Sequence, residues 1–453
     1  MELPQEQCLI LFFSFIATQF ILAIRGKLFS PINIIVCYWY LWLFLSTQGI
    51  GGLLIPSNQL YSLHCTFLGA FVIGSCLVKA ITKNSHDGYW LARDTKLSEN
   101  VNNKLFAIFF LFIPPTFYFF AKSISLILSG YIGLRGDLVG MEHNPIFSSV
   151  LINYFYYVIM KGLWLFYCPF ACATFIKNKS KKHILMVFLY AFILSGIYFS
   201  RTYMYIFFIM LVWAYLIKVM SQKHKSLLDL TDLRKKFFGN KVFFKSMFIL
   251  SLLIIGIAVQ SKLREKSVGG QSKNILIDTL IKYHTAGFVL FDLDLQKDSS
   301  PIYAKQTYGL GLFGGVEQFL GLFIKRINPE FAPIVAREEL SIFFKVGIDE
   351  YGRNIRSNAL YNIVYTLTRD CYYPAVILGG LLIGGLCNKT YILMINSQSL
   401  QHHSSSIFIF TFMITSLIRS NLESTSYWIP IFLFLLIFRH KHKCIVSFKT
   451  ASH

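Results

Sequence analysis

ILMVFLYAFILSGIYFSRTYMYIFFIMLVWAYLIKV, residues 184–219, joins two apolar runs across one arginine, Arg201, the only charged residue between Ile184 and Ile217. A single helix through the whole stretch would bury that arginine in hydrocarbon, one of the most costly placements a bilayer offers. Two helices joined by a turn at Ser200–Thr202 put Arg201 at a membrane surface instead. The stretch therefore reads as a transmembrane hairpin, and the rest of the chain repeats the pattern.

Of the 453 residues, 55% are hydrophobic, 17% aromatic and only 14% charged, and the mean hydropathy is +0.55. A soluble chain carries roughly 25% charged residues. Nearly uncharged runs long enough to cross a bilayer recur throughout. Spans are expected at about 8–24, 31–55, 59–82, 105–128, 146–176, 184–199, 203–219, 246–260, 374–395, 406–419 and 427–438. The opening MELPQEQ has no basic n-region, so the first run is expected to remain as a span rather than be cleaved. The fold class expected is an all-α polytopic membrane protein: a bundle over 1–260, one large loop over 261–373, then further spans and a basic tail over 374–453.

The connections fall into two chemical groups that alternate along the chain. Residues 25–27, 83–104, 177–182, 218–245 and 439–443 are basic, whereas 56–58, 129–145, the SRT turn and 420–426 are not. Short basic connections stay in the cytoplasm, which gives eleven spans with the amino terminus outside and the carboxyl terminus inside. Twenty-one of the 43 lysines and arginines lie in the basic group. The net charge of +21 is thereby mostly topological, suits anionic lipid headgroups, and requires no nucleic-acid partner. The nine cysteines are scattered, with Cys371 alone near the outer face, so no disulfide framework is expected.

Residues 261–373 break the pattern with nearly balanced charge. A connection of this length inside a compact membrane protein is usually functional. NILIDTLIKYHTAGFVLF (274–291) has helical apolar spacing, FGGVEQFLGLFIKRI (313–327) suits a helix in the headgroup plane, and ELSIFFKVGIDEYG (339–352) ends in turn formers. A folded, mostly helical cap over the outer end of the bundle is expected.

GLGLFG (309–314) matches GxGxxG, but no strand and no βαβ unit surround it, so its glycines read as a turn and close packing. GGLLIGG (379–385) reads as small-residue helix packing. No phosphate-binding GKS/T loop, no HExxH and no His/Cys ligand cluster occurs in the sequence, so no metal and no cofactor is expected. His183, His402 and His403 are expected to be solvated at the basic end.

What remains is a set of outward arginines: Arg135, Arg201, Arg264, Arg326, Arg337, Arg353, Arg356, Arg369 and Arg419. Singly, each reads as a snorkelling residue or half of a surface ion pair. Several guanidiniums facing one mouth repel one another unless an anion is present, and the planar fork of arginine suits phosphate oxygens. The tyrosines around them (Tyr131, Tyr198, Tyr203, Tyr205, Tyr361, Tyr365, Tyr372 and Tyr373) belong to an interfacial belt and present ring faces on which sugars stack.

RSNALYNIVYTLTRDCYYPAVILGGLLIGGL (356–386) resembles the end of the large periplasmic loop and the following helix of Wzy-type O-antigen polymerases, and FSRTYMYIFF (199–208) resembles their arginine-bearing turn. The topology is similar over the whole chain. Where that family often has Asp-Phe-Gly this chain has Cys371–Tyr372–Tyr373, with Asp370 adjacent. Paired Arg-x10-Gly motifs are not evident in both outer loops. The resemblance implies a glycosyltransferase of GT-C-like architecture in the bacterial inner membrane. Its substrates would be undecaprenyl-diphosphate-linked oligosaccharides, joined at the periplasmic face with release of undecaprenyl diphosphate, and a chain-length-regulating co-polymerase would be a further partner.

On that reading Arg135, Arg201 and Arg369 are expected at the diphosphate, with Arg356 on diphosphate or sugar, and Tyr361, Tyr365 and Tyr372 against sugar rings. The acceptor hydroxyl needs a base. Asp137, Glu338, Glu339, Asp370, Glu423 and His284 are the candidates, with Asp370 and Glu339 first and His284 next. An O-antigen ligase would share these features. A lipid-linked oligosaccharide flippase would instead show short even loops, buried charges within spans and repeated halves; a scaffold protein would tolerate replacement of its arginines.

Overall fold

In the computed structural model, the structure describes residues 5–28, 30–82, 94–129, 145–147, 149–198, 200, 202–223, 281–304, 306–331, 343–348, 352, 354–358, 361–397 and 399–436. The apolar runs form helices. These are α1 (Gln5–Ile24), α2 (Pro31–Ser46), α3 (Asn58–Thr82), α4 (Asp94–Leu128), and α5, which is α-helical over Val150–Tyr154, passes through a π turn over Phe155–Met160 and continues over Lys161–Asn178. There follow α6 (Lys181–Ile197) and α7 (Thr202–Lys223). In the large loop lie α8 (Lys282–Leu295), α9 (Pro301–Ala304), α10 (Gly314–Ile327) and the strands β1 (Phe343–Ile348) and β2 (Asn354–Asn358). Then come α11 (Ile363–Ser397), α12 (Leu400–Ser416) and α13 (Thr425–Leu436).

Helices occupy every expected span that falls in the described residues; 246–260 lies outside them. Five are long and apolar enough to cross a membrane: Gln5–Ile24, Asn58–Val78, Asn100–Leu126, Leu151–Asn178 and Ile363–Ile395. Large apolar side chains such as Phe13, Phe20, Leu111, Leu382 and Leu436 are exposed on the helices' outer faces, as lipid-facing surfaces require. Inside, Trp39, Trp164, Tyr167, Phe71 and Phe410 are fully buried and belong to one continuous core.

Two expectations need correction. The span expected over 31–55 stops at Ser46, because Gly49, Gly51 and Gly52 all take positive φ and turn the chain out of the helix. Leu53 then bridges to Gly347, and Leu54 N donates to Val346 O at 2.9 Å. The large loop is also not wholly helical: β1 and β2 pair antiparallel, with Lys345 opposite Arg356 and a bulge between Lys345 and Gly347. FFKV and NIRSN offer alternating side chains to the two faces of a ribbon, the period-2 signal that a helical reading overlooked.

Among the described residues, helices α3 and α11 are the most closely packed pair. A Cβ on Gly384 would stand 2.0 Å from Phe71 O, and one on Gly74 2.1 Å from Leu381 O, so each helix offers the other a residue with no side chain. The 47–57 connection, the loop elements α8–β2 and the turn after α12 meet at one end of the bundle: Ser57 donates to Asp292 and Ser420 N to Tyr361 O at 2.6 Å. At the opposite end, near the basic connections, Lys27 Nζ reaches Ser75 O at 2.6 Å. His183 is buried there rather than solvated, its Nδ1 2.8 Å from Tyr167 Oη.

Candidate active site at the loop-capped end

The site is built around a break in α11. Cys371 (φ −164°, ψ 38°) and Tyr372 (φ 53°, ψ −137°) leave the helical conformation, so a short helix, 363–370, precedes the long one. Pro374 accounts for the break. It has no N–H to give to the carbonyl four residues back, and its ring clashes there. That carbonyl belongs to Asp370, and Tyr308 N donates to it at 3.0 Å instead, while Thr307 N donates to Arg369 O at 3.1 Å. Tyr308 itself has φ 48°. Two bulky residues in the left-handed region, one on each side of this junction, carry strain of about 1–3 kcal/mol each.

The Asp370 side chain closes the junction. Its carboxylate accepts from Thr307 Oγ1 at 2.5 Å, Gly309 N at 3.0 Å, Gly311 N at 2.8 Å and Leu312 N at 3.3 Å. The GLGLFG turn therefore cradles a carboxylate of the same chain, through the anion-binding geometry of successive backbone N–H groups. Asp370 is almost fully buried and both its oxygens are engaged. This geometry makes it an anchor and corrects its expected place as the first candidate base.

Tyr361 and Tyr365 differ from expectation in the same way. Their rings stack with centroids 3.7 Å apart and 8° between planes. Both are buried, and both hydroxyls donate to Asp294 Oδ2, Tyr365 at 3.3 Å. They hold a buried carboxylate rather than offering ring faces to a sugar. Burial pushes the Asp294 carboxyl up, opposed by these hydroxyls and by the charges of Lys297 and Arg369. Tyr372, half-buried at the break, receives a hydrogen bond from Gln59 and packs against Tyr303 and Tyr373.

Arg369 is buried one residue before the anchor. Its charge acts on Asp294 and on Glu423, the latter in the connection between α12 and α13. There Glu423 is buried and takes the Thr366 hydroxyl at 2.7 Å. Burial pushes its carboxyl up to about 7, against Thr366 and the charges of Arg419 and Arg369, while Asp370 adds to the rise. Half-buried Arg419 interacts with Tyr157, Glu423, Tyr283 and Tyr427. On the same side Lys161, just past the π turn of α5, lies over the rings of Tyr157, Tyr203 and Tyr427 at 5.2, 6.0 and 5.6 Å. Extra-turn insertions of this kind frequently mark functional positions.

His284, the remaining described candidate base, opens α8. Its ring stacks on Trp42 with centroids 4.0 Å apart, and Nε2 lies 3.2 Å from Tyr205 Oη, which in turn lies 3.2 Å from Tyr38 Oη. It is buried between α2 and α7. Arg135, Arg201 and Glu339 lie outside the described residues. Arg356 is placed in β2 opposite Lys345, with its side chain outside the described set.

Arg369 and Glu423, on different elements, are thus brought together, with Arg419 and Thr366. The sequence reading had Arg369 and Arg419 among its arginines, and Glu423 only as one acid among several. Asp294, Thr307 and Thr366 escaped it, and Lys161 stood out there only as a charge within an apolar run. No family model, curated protein or solved structure matches the chain.

Proposed function

We propose that this chain is an O-antigen-type polymerase of the bacterial inner membrane, joining undecaprenyl-diphosphate-linked oligosaccharide units at the periplasmic face. The observation that carries the reading is buried Glu423 under the charges of two guanidiniums, Arg419 and Arg369, at the end of the bundle capped by the large loop. A transfer from a lipid diphosphate needs two things at one place. Developing charge on the departing diphosphate needs preorganised cations, and the acceptor hydroxyl needs a proton acceptor. Arg369 and Arg419 are the candidates for the first and Glu423 for the second. The sequence-based arginines Arg135, Arg201 and Arg356 belong to the same reading as further diphosphate ligands.

The test is deletion of the gene in a strain that makes such a glycan, with inspection of the lipopolysaccharide. Core carrying a single repeat unit is the expected product. Bare core with normal export of lipid-linked units would identify a ligase, and retention of those units on the cytoplasmic face would identify a flippase.

A further inference from the structure

Four carboxylates at the loop-capped end are buried and fully described: Asp292, Asp294, Asp370 and Glu423. Asp292 and Asp370 are consumed by the fold at both oxygens, and Asp294 at one. Asp292 accepts from Ser57 and from Gln296 Nε2, the latter at 2.7 Å. Asp294 accepts from both stacked tyrosines. Asp370 accepts from four donors spread over both oxygens.

Glu423 differs. One of its oxygens, Oε1, takes the Thr366 hydroxyl, and among the described residues nothing donates to Oε2. Oε2 is not one of the fully buried, unpartnered side-chain atoms, so it is accessible to a group that brings its own proton donor, under the charges of Arg419 and Arg369. A sugar hydroxyl is such a donor, and the guanidiniums beside it would hold the anionic leaving group within reach of the same site.

We propose that Glu423 accepts the proton of the acceptor sugar hydroxyl during transfer, a role that rests on the polymerase reading above. The hydroxyl oxygen forms the new bond to the anomeric carbon of the donor glycan as its proton passes to Glu423 Oε2. The bond from that carbon to the diphosphate oxygen breaks, its electron pair leaves with undecaprenyl diphosphate, and Glu423 later returns the proton to water. The groups facing Glu423 are Arg419 on its own connection and Tyr365, Thr366, Arg369 and Asp370 on the first segment of α11. Its carboxyl, poised near 7, matches the working range of a base.

The experiment uses the full-length protein in vesicles, with lipid-linked repeat units extracted from the deletion strain as substrate. Polymer formation is followed against pH for the wild type, Glu423→Gln and Thr366→Val, and binding of undecaprenyl diphosphate is measured alongside. Glu423→Gln, which keeps an oxygen for Thr366, is expected to lose about 100-fold or more in rate with its lipid binding retained. Thr366→Val removes the hydroxyl that favours the carboxylate, so its rate is expected to fall off on the acid side at higher pH than the wild type. Two results would overturn the assignment: a Glu423→Gln rate and acid limb like those of the wild type, or loss of lipid binding in step with rate. A wild type that forms no polymer from these units defeats the polymerase reading itself, a different failure.

Discussion

Gly311 gives its backbone N–H to Asp370 at 2.8 Å, and a Cβ built on Gly311 would stand 2.8 Å from the same carboxylate oxygen and 3.1 Å from Thr307 Oγ1. The bond and the absence of a side chain are one requirement. Replacing Gly311 by alanine must push the turn off the carboxylate, with an expected cost of about 1–3 kcal/mol. A lowered melting temperature and faster proteolytic cleavage around residues 305–313 would report it; a wild-type melting curve would show that the turn can yield.

Asp370→Asn tests the anchor more directly. An asparagine has one acceptor oxygen, and its amide hydrogens would point at a backbone donor. The expected loss is about 1–3 kcal/mol of stability, visible in thermal unfolding. A variant of undiminished stability that makes no polymer would instead return Asp370 to the chemistry.

Tyr361→Phe removes a hydroxyl from buried Asp294, whose carboxyl is already pushed up by burial. The variant is expected to be less stable than the wild type by about 1–3 kcal/mol. The deficit should widen as pH rises, because the charged form of Asp294 loses most by losing a donor. Chemical denaturation at several pH values measures this, and an equal deficit at every pH would disprove the linkage.

Glu423 holds its proton to about 7 in the folded chain, against an ordinary value of 4.5. Between those values the folded state binds more protons than the unfolded one. The stability this group contributes is therefore complete below its unfolded value and lost as pH rises through about 7. Glu423→Gln does not titrate. In detergent it is expected to melt with the wild type near pH 4.5 and above it at alkaline pH, by about 1–3 kcal/mol. A gain in stability with a loss of rate is the trade expected of a working group.

Arg419→Ala is expected to abolish polymer while single lipid-linked units persist, and Arg419→Lys to restore it poorly, since an ammonium lacks the bidentate fork. A normal ladder of chain lengths on gels from Arg419→Ala cells would remove this arginine from the reading.

The membrane class, the placing of helices in the apolar runs and the packing role of GGLLIGG were all legible in the order of residues. Each follows from local properties: apolar length, charge and side-chain size. The end of α2 was misread because an apolar run does not reveal glycines that take positive φ. The hairpin was missed because six residues of alternating pattern look much like half a turn-rich helix.

The site was legible in its residue types but not in its roles. Sequence determined that a chain with few acids and many arginines at one end would gather charge there. Only the tertiary structure decided that Asp370 closes a helix break opened by Pro374, that Tyr361 and Tyr365 hold Asp294, and that Glu423 takes the Thr366 hydroxyl as its one donor among the described residues. Hydrogen bonds over 57 to 71 positions of separation leave no local trace. A carboxylate's chemistry depends on which donors reach it, and that is fixed only when distant segments pack.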